Sequence, residues 1–166
     1  MQAATAYAGA MFASVQSGDM SGIYIGARTS APGGGGRYGL FYSAVPYGAA
    51  STAPAWLYGL QQNGETRTNL ALVNTGENDT GATVFRIDVY GGSNGSKVGE
   101  GERTLAAGRW VQIGNVLADL APGITQGYVR VTRISGSNPF ITYAVLNDGA
   151  APGQRTGDGA FVASQP

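Results

Sequence analysis

Apolar and polar residues alternate in short runs along most of the chain, and Gly, Pro, Asn, Asp and Ser separate the runs. Between residues 83 and 90, for example, Phe85, Ile87 and Val89 occupy alternate positions, which we expect to face a core. This pattern is typical of strands in a sandwich or barrel. It predicts strands at 9–16, 22–29, 37–45, 55–60, 67–75, 83–90, 97–106, 109–113, 127–134, 139–147 and 158–164.

Helical periodicity is confined to one place. A short helix is predicted at 115–120, with Asn115 as its N-cap and Pro122-Gly123 after its end. Val116, Leu117 and Leu120 would then share one face of that helix. The chain is therefore expected to be all-β with one short helix.

Charge is scarce in this sequence. Charged residues make up 12% of the chain, against about 25% in typical globular proteins, so the surface must be polar but mostly uncharged. Ten basic residues balance ten acidic ones, which leaves no electrostatic footprint for a nucleic-acid backbone. No apolar run approaches the roughly 20 residues of a membrane span, so membrane insertion is not expected.

The residue types that are missing exclude several kinds of chemistry. The chain has no cysteine and no histidine, which excludes disulfides, thiolate and imidazole metal sites, and Ser-His-Asp or Cys-His catalysis. Glu100 and Glu102 share one strand face, where solvated carboxylates are a better interpretation than a catalytic pair. We therefore expect neither an enzyme nor a bound cofactor.

Two parts of the chain share one arrangement of residues. In 22–46 an apolar run precedes Ala-Pro-Gly, Arg-Tyr-Gly and an aromatic strand; in 140–166 an apolar run precedes Ala-Pro-Gly, Arg-Thr-Gly and another aromatic strand. The region between them occurs once. The duplication indicates the end of one module followed by a complete module, as in tandem arrays.

This duplication suggests a boundary. We expect residues 1–37 to form an N-terminal β segment resembling the C-terminal part of a module, and 38–166 to form a complete β-sandwich module. A lone hairpin is marginal in water, so the first segment must pack on its own sandwich or complete a sandwich in a neighbouring subunit. Its predicted buried anchors are Met11, Phe12, Val15, Ile23 and Ile25, and Tyr24 completes the predicted assembly interface.

Two stretches carry a family resemblance. Trp56-Leu57-Tyr58-Gly59-Leu60-Gln61, followed by Arg67-Thr68-Asn69-Leu70, resembles the start of immunoglobulin-like modules in secreted or cell-surface bacterial proteins. Gly127-Tyr128-Val129-Arg130-Val131 resembles their later strands. The likeness spans about 55–166 and, more loosely, 8–47. It implies an immunoglobulin-like antiparallel β-sandwich, outside the cell or on its surface, and carries no catalytic residue.

Arg67 and Asn69 belong to the most distinctive local motif of the chain. They could hold a glycan hydroxyl or a carboxylate. We favour a structural role, in which Arg67 pairs with a strand acid such as Asp88 and Asn69 satisfies loop amides.

Several carboxylates fall in turns. Asp148 and Asp158 lie near the end of the chain, and Asp19 and Asp79 lie in other turns. Hard oxygen ligands of this kind can bind calcium. The EF-hand spacing is absent, and Asp-Gly is also an ordinary turn sequence, so the turn interpretation is preferred to calcium.

Aromatic residues offer a second type of surface. A sugar-binding platform is one interpretation, although aromatics at alternating strand positions usually belong to a core. The candidates for a platform are Phe41, Tyr42, Trp56, Trp110, Phe140, Tyr143 and Phe161. The better candidates for an exposed contact surface are Tyr24, Tyr38, Tyr42, Tyr47 and Tyr58.

The sequence thus favours an extracellular structural protein that assembles head to tail through β-strand contacts, giving a homo-oligomer, surface array or filament. The alternative is a carbohydrate- or ligand-binding accessory module of a secreted or surface protein, with a glycan as partner.

Overall fold

The computed structural model describes residues 8–19, 21–33, 36–151 and 153–166. Within these ranges the chain forms twelve strands and one short helix. The elements, in chain order, are β1 (Gly26–Arg28), β2 (Ala31–Gly33), β3 (Gly36–Tyr38), β4 (Phe41–Ser43), β5 (Ala55–Gln61), β6 (Thr66–Asn74), β7 (Thr83–Gly91), β8 (Lys97–Leu105), β9 (Trp110–Ile113), α1 (Val116–Leu120), β10 (Gln126–Ser135), β11 (Phe140–Asp148) and β12 (Gly159–Ala163).

Eight strands build two antiparallel sheets. Sheet I has the order β5-β10-β7-β8, and sheet II has the order β12-β11-β6-β9. One apolar core contains residues of both sheets, including the contacting rings of Phe85 and Phe140, whose centroids are 5.3 Å apart. The two sheets therefore pack face to face, and the predicted all-β sandwich is confirmed.

The core follows the alternation in the sequence. Phe85, Ile87 and Val89 are fully buried on β7, as predicted, and Val129 and Val131 of β10 lie beside them. Burying a side chain of this kind contributes about 1.5–3 kcal/mol. The face of sheet I that points into the core is thus apolar. Its outward face carries the polar and aromatic residues that alternate with the core residues.

The strand order can be compared with that of an immunoglobulin constant domain. If β5 to β12 are lettered A to H, then B lies beside E and C lies beside F, as in that domain. Strand A, however, lies beside F, and G lies beside B. The first and last strands are therefore placed differently, and the immunoglobulin-like assignment stays a prediction.

The helix lies where the sequence predicts it, but its N-terminus is built differently. Val116 and Leu117 are fully buried, and Leu120 packs against the core. Asn115 makes no side-chain capping bond; its backbone is left-handed, with φ at 51°, and its N–H donates to Asn69 Oδ1 at 3.0 Å. Asn115 is therefore the N-cap residue, as predicted, but Asn69 holds it through its backbone N–H and the Asn115 side chain makes no capping bond.

The N-terminal strands form one hairpin. β1 pairs with β4 and β2 with β3 in a single continuous register, and Thr29 N–H donates to Leu40 O at 2.9 Å where the strands are interrupted. An N-terminal hairpin is therefore present, but it pairs 26–33 with 36–43 and does not lie within residues 1–37 as predicted. Residues 9–16 form no strand, and the strand predicted at 22–29 begins only at Gly26. The run predicted at 37–45 is split into parts of β3 and β4, because Gly39 approaches the Thr29 backbone too closely for any side chain.

This hairpin lies across the proposed division at residue 37. β2 and β3 pair through Pro32 and Arg37, whereas the first strand of the sandwich begins at Ala55. Residues 44–54 connect the two and are tied to the sandwich, since Ser51 exchanges two backbone bonds with Phe140 (3.0 and 2.8 Å). Gly48 N–H also donates to Glu77 Oε2 at 3.0 Å.

The outward face of sheet II is apolar as well. Ala71 and Val73 are 2% and 5% exposed, although they alternate with the core residues Leu70 and Leu72 and so point away from the core. On the neighbouring strands this face carries Tyr143 and Phe161, and Tyr42 of β4 packs on both rings at centroid distances of 5.4 and 5.7 Å. The hairpin thus adds a partial third layer to the sandwich.

Within the described ranges no helix has the length and apolar character that crossing a bilayer requires.

A close backbone approach holds α1 against β8, and it can be tested. A Cβ at Gly99 would lie 2.0 Å from the Leu120 carbonyl oxygen. We expect Gly99→Ala to lower the free energy of unfolding by about 1–3 kcal/mol, because the backbone must shift to relieve the overlap. Gly64→Ala is the matched control, since a Cβ at Gly64 meets nothing within 4 Å. Urea unfolding of both variants measures the difference, and equal stabilities would contradict the close packing.

Candidate functional site

Exposed apolar side chains concentrate near the N-terminus. Met11, Phe12, Ile23 and Tyr24 are 70%, 58%, 47% and 69% exposed, and we call these four residues the N-terminal contact surface. The remaining two residues of the predicted assembly interface, Val15 and Ile25, are half-buried. Large exposed apolar side chains are the raw material of an interaction site when they form one patch.

Tyr24 is held in place on this surface. Its ring stacks on Phe41 of β4 with centroids 6.3 Å apart and an interplanar angle of 15°. Its hydroxyl lies 2.8 Å from Ser43 Oγ. The ring is therefore ordered by the hairpin while most of its surface stays open to solvent.

The strand edges of the molecule differ in how they are protected. β8 carries Lys97, Glu100, Glu102 and Arg103 along its length, and charges of this kind oppose pairing with another chain. The edge of β5 is partly bonded by the C-terminal tail, because Trp56 and Gln165 exchange two backbone bonds of 2.8 Å. β9 has only four residues.

The hairpin strands β1 and β4 and the terminal strand β12 lack such protection. Among the described strands, β1 pairs only with β4, and β12 pairs only with β11. β4 and β12 contain no charged residue, and the one charged residue of β1 is Arg28 at its end. Ile25 O accepts from Ala44 N–H at 2.9 Å, so the backbone groups of Tyr24 and Gly26 face the free edge of the hairpin.

A second candidate surface lies on the outward face of sheet I. The rings of four residues contact one another across β5, β10 and β7, and we call them the aromatic face: Trp56, Tyr58, Tyr90 and Tyr128. Centroid distances run from 5.1 Å for Tyr90 and Tyr128 to 6.2 Å for Trp56 and Tyr58. Cross-strand register explains the cluster, since Tyr128 lies directly opposite Tyr90.

A cation lies beside these rings. Arg130 is the cross-strand neighbour of Trp56, and its guanidinium carbon is 5.5 Å from the centre of the indole ring. Asp88 is the cross-strand neighbour of Arg130 on β7, but its carboxylate forms ion pairs with Lys97 at 2.6 Å and Arg86 at 3.4 Å. The Arg130 guanidinium makes no ion pair or hydrogen bond with any residue that the structure describes, and its Nε is shielded from solvent.

A shallow cleft adjoins the aromatic face. Its volume is about 280 Å³, and Tyr128 forms one wall. The rest of the lining is mostly backbone and amide, from Gly59, Gln61, Gly92 and Gln126. Gly59 has φ at 73° and lies where the pairing of β5 with β10 shifts register, so this bulge helps to shape the cleft.

The predicted role of Arg67 is only partly correct. Arg67 is buried, but its Nη1 donates to Gly149 O and it makes no ion pair with Asp88, which Lys97 occupies instead. Asn69 does satisfy a loop amide, through Asn115. Both side chains hold neighbouring segments, and neither is open to a ligand.

The turn acids are engaged by protein donors. The hydrogen bond from the Ser137 hydroxyl and a bond from Gly81 N–H hold the pKa of Asp79 below its usual range. Ser21 lowers the pKa of Asp19 in the same way. Among the described residues, no group of three or more acids is placed to hold a metal ion.

The predicted aromatic candidates separate into different places. Phe140 is in the core, whereas Tyr42, Tyr143 and Phe161 pack together on sheet II. Only Trp56 and Tyr58 belong to the aromatic face. Tyr90 and Tyr128 were missed as members of a platform, although each is adjacent in an alternating strand to a core residue, Val89 or Val129, and so had to point outward.

The loss of thermal stability at acid pH tests one of these turn contacts. A hydrogen bond from the Thr156 hydroxyl, helped by Arg155, lowers the pKa of Asp148 from its ordinary value of 3.8. The stabilisation is therefore present above that pH and is lost as the pH falls below about 4. We expect Asp148→Asn to lower the unfolding temperature at neutral pH and to reduce its decline on acidification.

Glu102→Gln is the control for that measurement, since the Glu102 carboxylate makes no hydrogen bond with described residues. Thermal unfolding followed by circular dichroism at a series of pH values separates the variants. An Asp148→Asn protein with the wild-type dependence on pH would refute the assigned contact.

Comparison with known proteins adds no family to this description. No protein-family model, no curated protein and no solved structure matches the chain. The functional reasoning therefore rests on the N-terminal contact surface, the two open strand edges and the aromatic face.

Proposed function

We propose that this chain is an extracellular structural protein whose copies assemble head to tail through the N-terminal hairpin. The single observation that carries the proposal is that β1 and β12 each have a strand partner on one side only, and that the sole charged residue on either strand is Arg28, the last residue of β1. The extracellular setting rests on the resemblance of residues 55–166 to modules of secreted bacterial proteins. No catalytic residue is part of the proposal.

The two open edges suit one another. An uncharged edge with free N–H and C=O groups is a template for pairing with another chain. In the proposed contact, β1 of one copy pairs with β12 of the next, which extends sheet II of that next copy by the neighbour's hairpin. β12 is accessible for this, since Ala160, Phe161 and Ala163 are exposed.

The internal duplication supports the same pairing. The hairpin of β1 and β4 repeats the residue pattern of β11 and β12, and both pairs are antiparallel in the structure. In the complete module, β11 has a neighbour on each side, β6 and β12. β1 pairs only with β4, so it lacks the second neighbouring strand that β11 has.

The side chains add apolar area to such a contact. Ile23 and Tyr24 lie at the free edge and are exposed, and Met11 and Phe12, which precede them in the chain, are exposed as well. Covering these side chains with a neighbouring copy would remove apolar surface from water. Because β1 and β12 are different edges, the contact is heterologous, and it gives a filament unless the rotation between copies closes a ring.

The experiment uses one variant at each edge. Tyr24→Pro removes an N–H that faces the free edge but no backbone bond to β4, and Ala160→Lys places a charge on β12. We expect wild-type chain to grow into larger species with concentration, and each variant alone to remain monomeric. An equimolar mixture should give a species of twice the chain mass, because each variant keeps the edge that the other has lost. Size-exclusion chromatography with light scattering measures these masses.

Two controls separate edge pairing from other effects. Tyr24→Ala removes the ring but keeps the N–H, so it should weaken assembly without abolishing it. Ile134→Lys changes an exposed apolar residue of sheet I away from both edges and should assemble normally. A wild-type protein that stays monomeric, or a Tyr24→Pro protein that assembles like wild type, would rule out the proposal.

A further inference from the structure

We propose that the aromatic face, together with Arg130, binds a polysaccharide that carries uronic acid groups. This site lies on sheet I and uses none of the residues assigned to assembly. The juxtaposition of four aromatic rings, an unpaired guanidinium and an adjoining polar cleft points to this ligand chemistry.

The rings match one face of a sugar. Pyranose rings present C–H groups of slightly positive charge on their faces, and aromatic rings present a negative π surface. Tyr58 is 51% exposed, and the rings beside it are half-buried, so the aromatic face is accessible yet fixed by mutual contact. Sites with rigid aromatic walls and a few oriented polar groups are typical of small-molecule recognition.

The polar groups match the rim of a sugar. The hydroxyls of Tyr58 and Tyr90 and the indole N–H of Trp56 make no hydrogen bond with the part of the chain that the structure describes. Gln61 and Gln126 line the neighbouring cleft. These groups can exchange hydrogen bonds with ring hydroxyls, whereas a purely apolar protein partner would leave them unpaired.

Arg130 decides between a neutral and an acidic sugar. Its charge is held over Trp56 and is not neutralised by Asp88, because Lys97 and Arg86 already pair with that carboxylate. A guanidinium binds a carboxylate through two parallel hydrogen bonds, which a neutral hydroxyl cannot reproduce. A carboxylate on the sugar is therefore the ligand group that would pair with Arg130.

Aliphatic side chains are rare around the cluster, which favours a glycan over a second protein. The nearest outward positions on β10 and β7 hold Arg130, Thr132, Asp88 and Arg86, and Ile134 and Val84 come only at the far end of the strands. The cores of protein interfaces are depleted in charged residues, unlike this surface.

The binding experiment uses Trp56 as its own reporter. The chain has two tryptophans, so Trp110→Phe leaves Trp56 as the single indole. In that background we would titrate polygalacturonate, polymannuronate and hyaluronan, each beside its methyl ester. We expect at least one acid form to shift the Trp56 emission, with about tenfold weaker binding of its ester because the carboxylate contact to Arg130 is lost.

Two variants test the assigned groups. Tyr58→Ala should weaken binding of the acid form about tenfold, because one stacking surface is removed. Arg130→Gln should reduce binding of the acid form to the level of the ester and leave binding of the ester unchanged. Tyr47→Ala, at a residue that is 84% exposed and lies outside the strands of sheet I, should bind like the parent.

Each other outcome overturns the proposal. Lack of binding to all three polymers, or equal binding of acid and ester, removes the acidic glycan. A Tyr58→Ala protein that binds normally removes the aromatic face. Loss of self-association in Tyr58→Ala, without any glycan binding, assigns the face to contact between copies instead. Thermal unfolding of each variant shows that a loss of binding is not a loss of fold.

Discussion

The structure depends on a sheet that is apolar on both of its faces. Sheet II buries Leu70 and Leu72 in the core, and the alternating residues Ala71 and Val73 are also buried, on the opposite side. A sheet with two apolar faces needs a layer on each of them. Sheet I supplies the first layer, and Tyr42 of the N-terminal hairpin supplies part of the second by packing on Tyr143 and Phe161. The position of the hairpin therefore follows from the need to cover this face.

Anchoring the hairpin has a consequence for its other strand. β4 carries the ring that contacts the sandwich, and β1 pairs with β4 on one side only, so the other edge of β1 is open and Ile23 and Tyr24 stay exposed. Sheet I differs from sheet II, because its outward face carries aromatic and charged side chains that are accessible to water. The molecule thus separates an apolar side suited to contact between copies from an amphipathic side suited to a polar ligand, and both roles remain proposals.

Strand prediction succeeded where one face of a strand is buried and failed where neither face is. All eight strands of the sandwich begin and end within two residues of the predicted positions, because period-two alternation reports burial on one side. Residues 9–16 have the same composition but form no strand, since no neighbouring strand accepts their backbone groups. Arg67 was assigned to the wrong partner for a related reason: Gly149 reaches it only through the pairing of β6 with β11.

The sequence alone determined the class of fold, the core of β7 and β10, the short helix and the duplicated hairpin, because each depends on the order and spacing of nearby residues. Only the tertiary structure decided which strands are neighbours, and with them the two open edges and the aromatic face. Tyr90 and Tyr128 are far apart in the chain and meet because β7 and β10 pair in one register. Local alternation states which side of a strand a residue occupies, but pairing between distant strands decides what lies beside it.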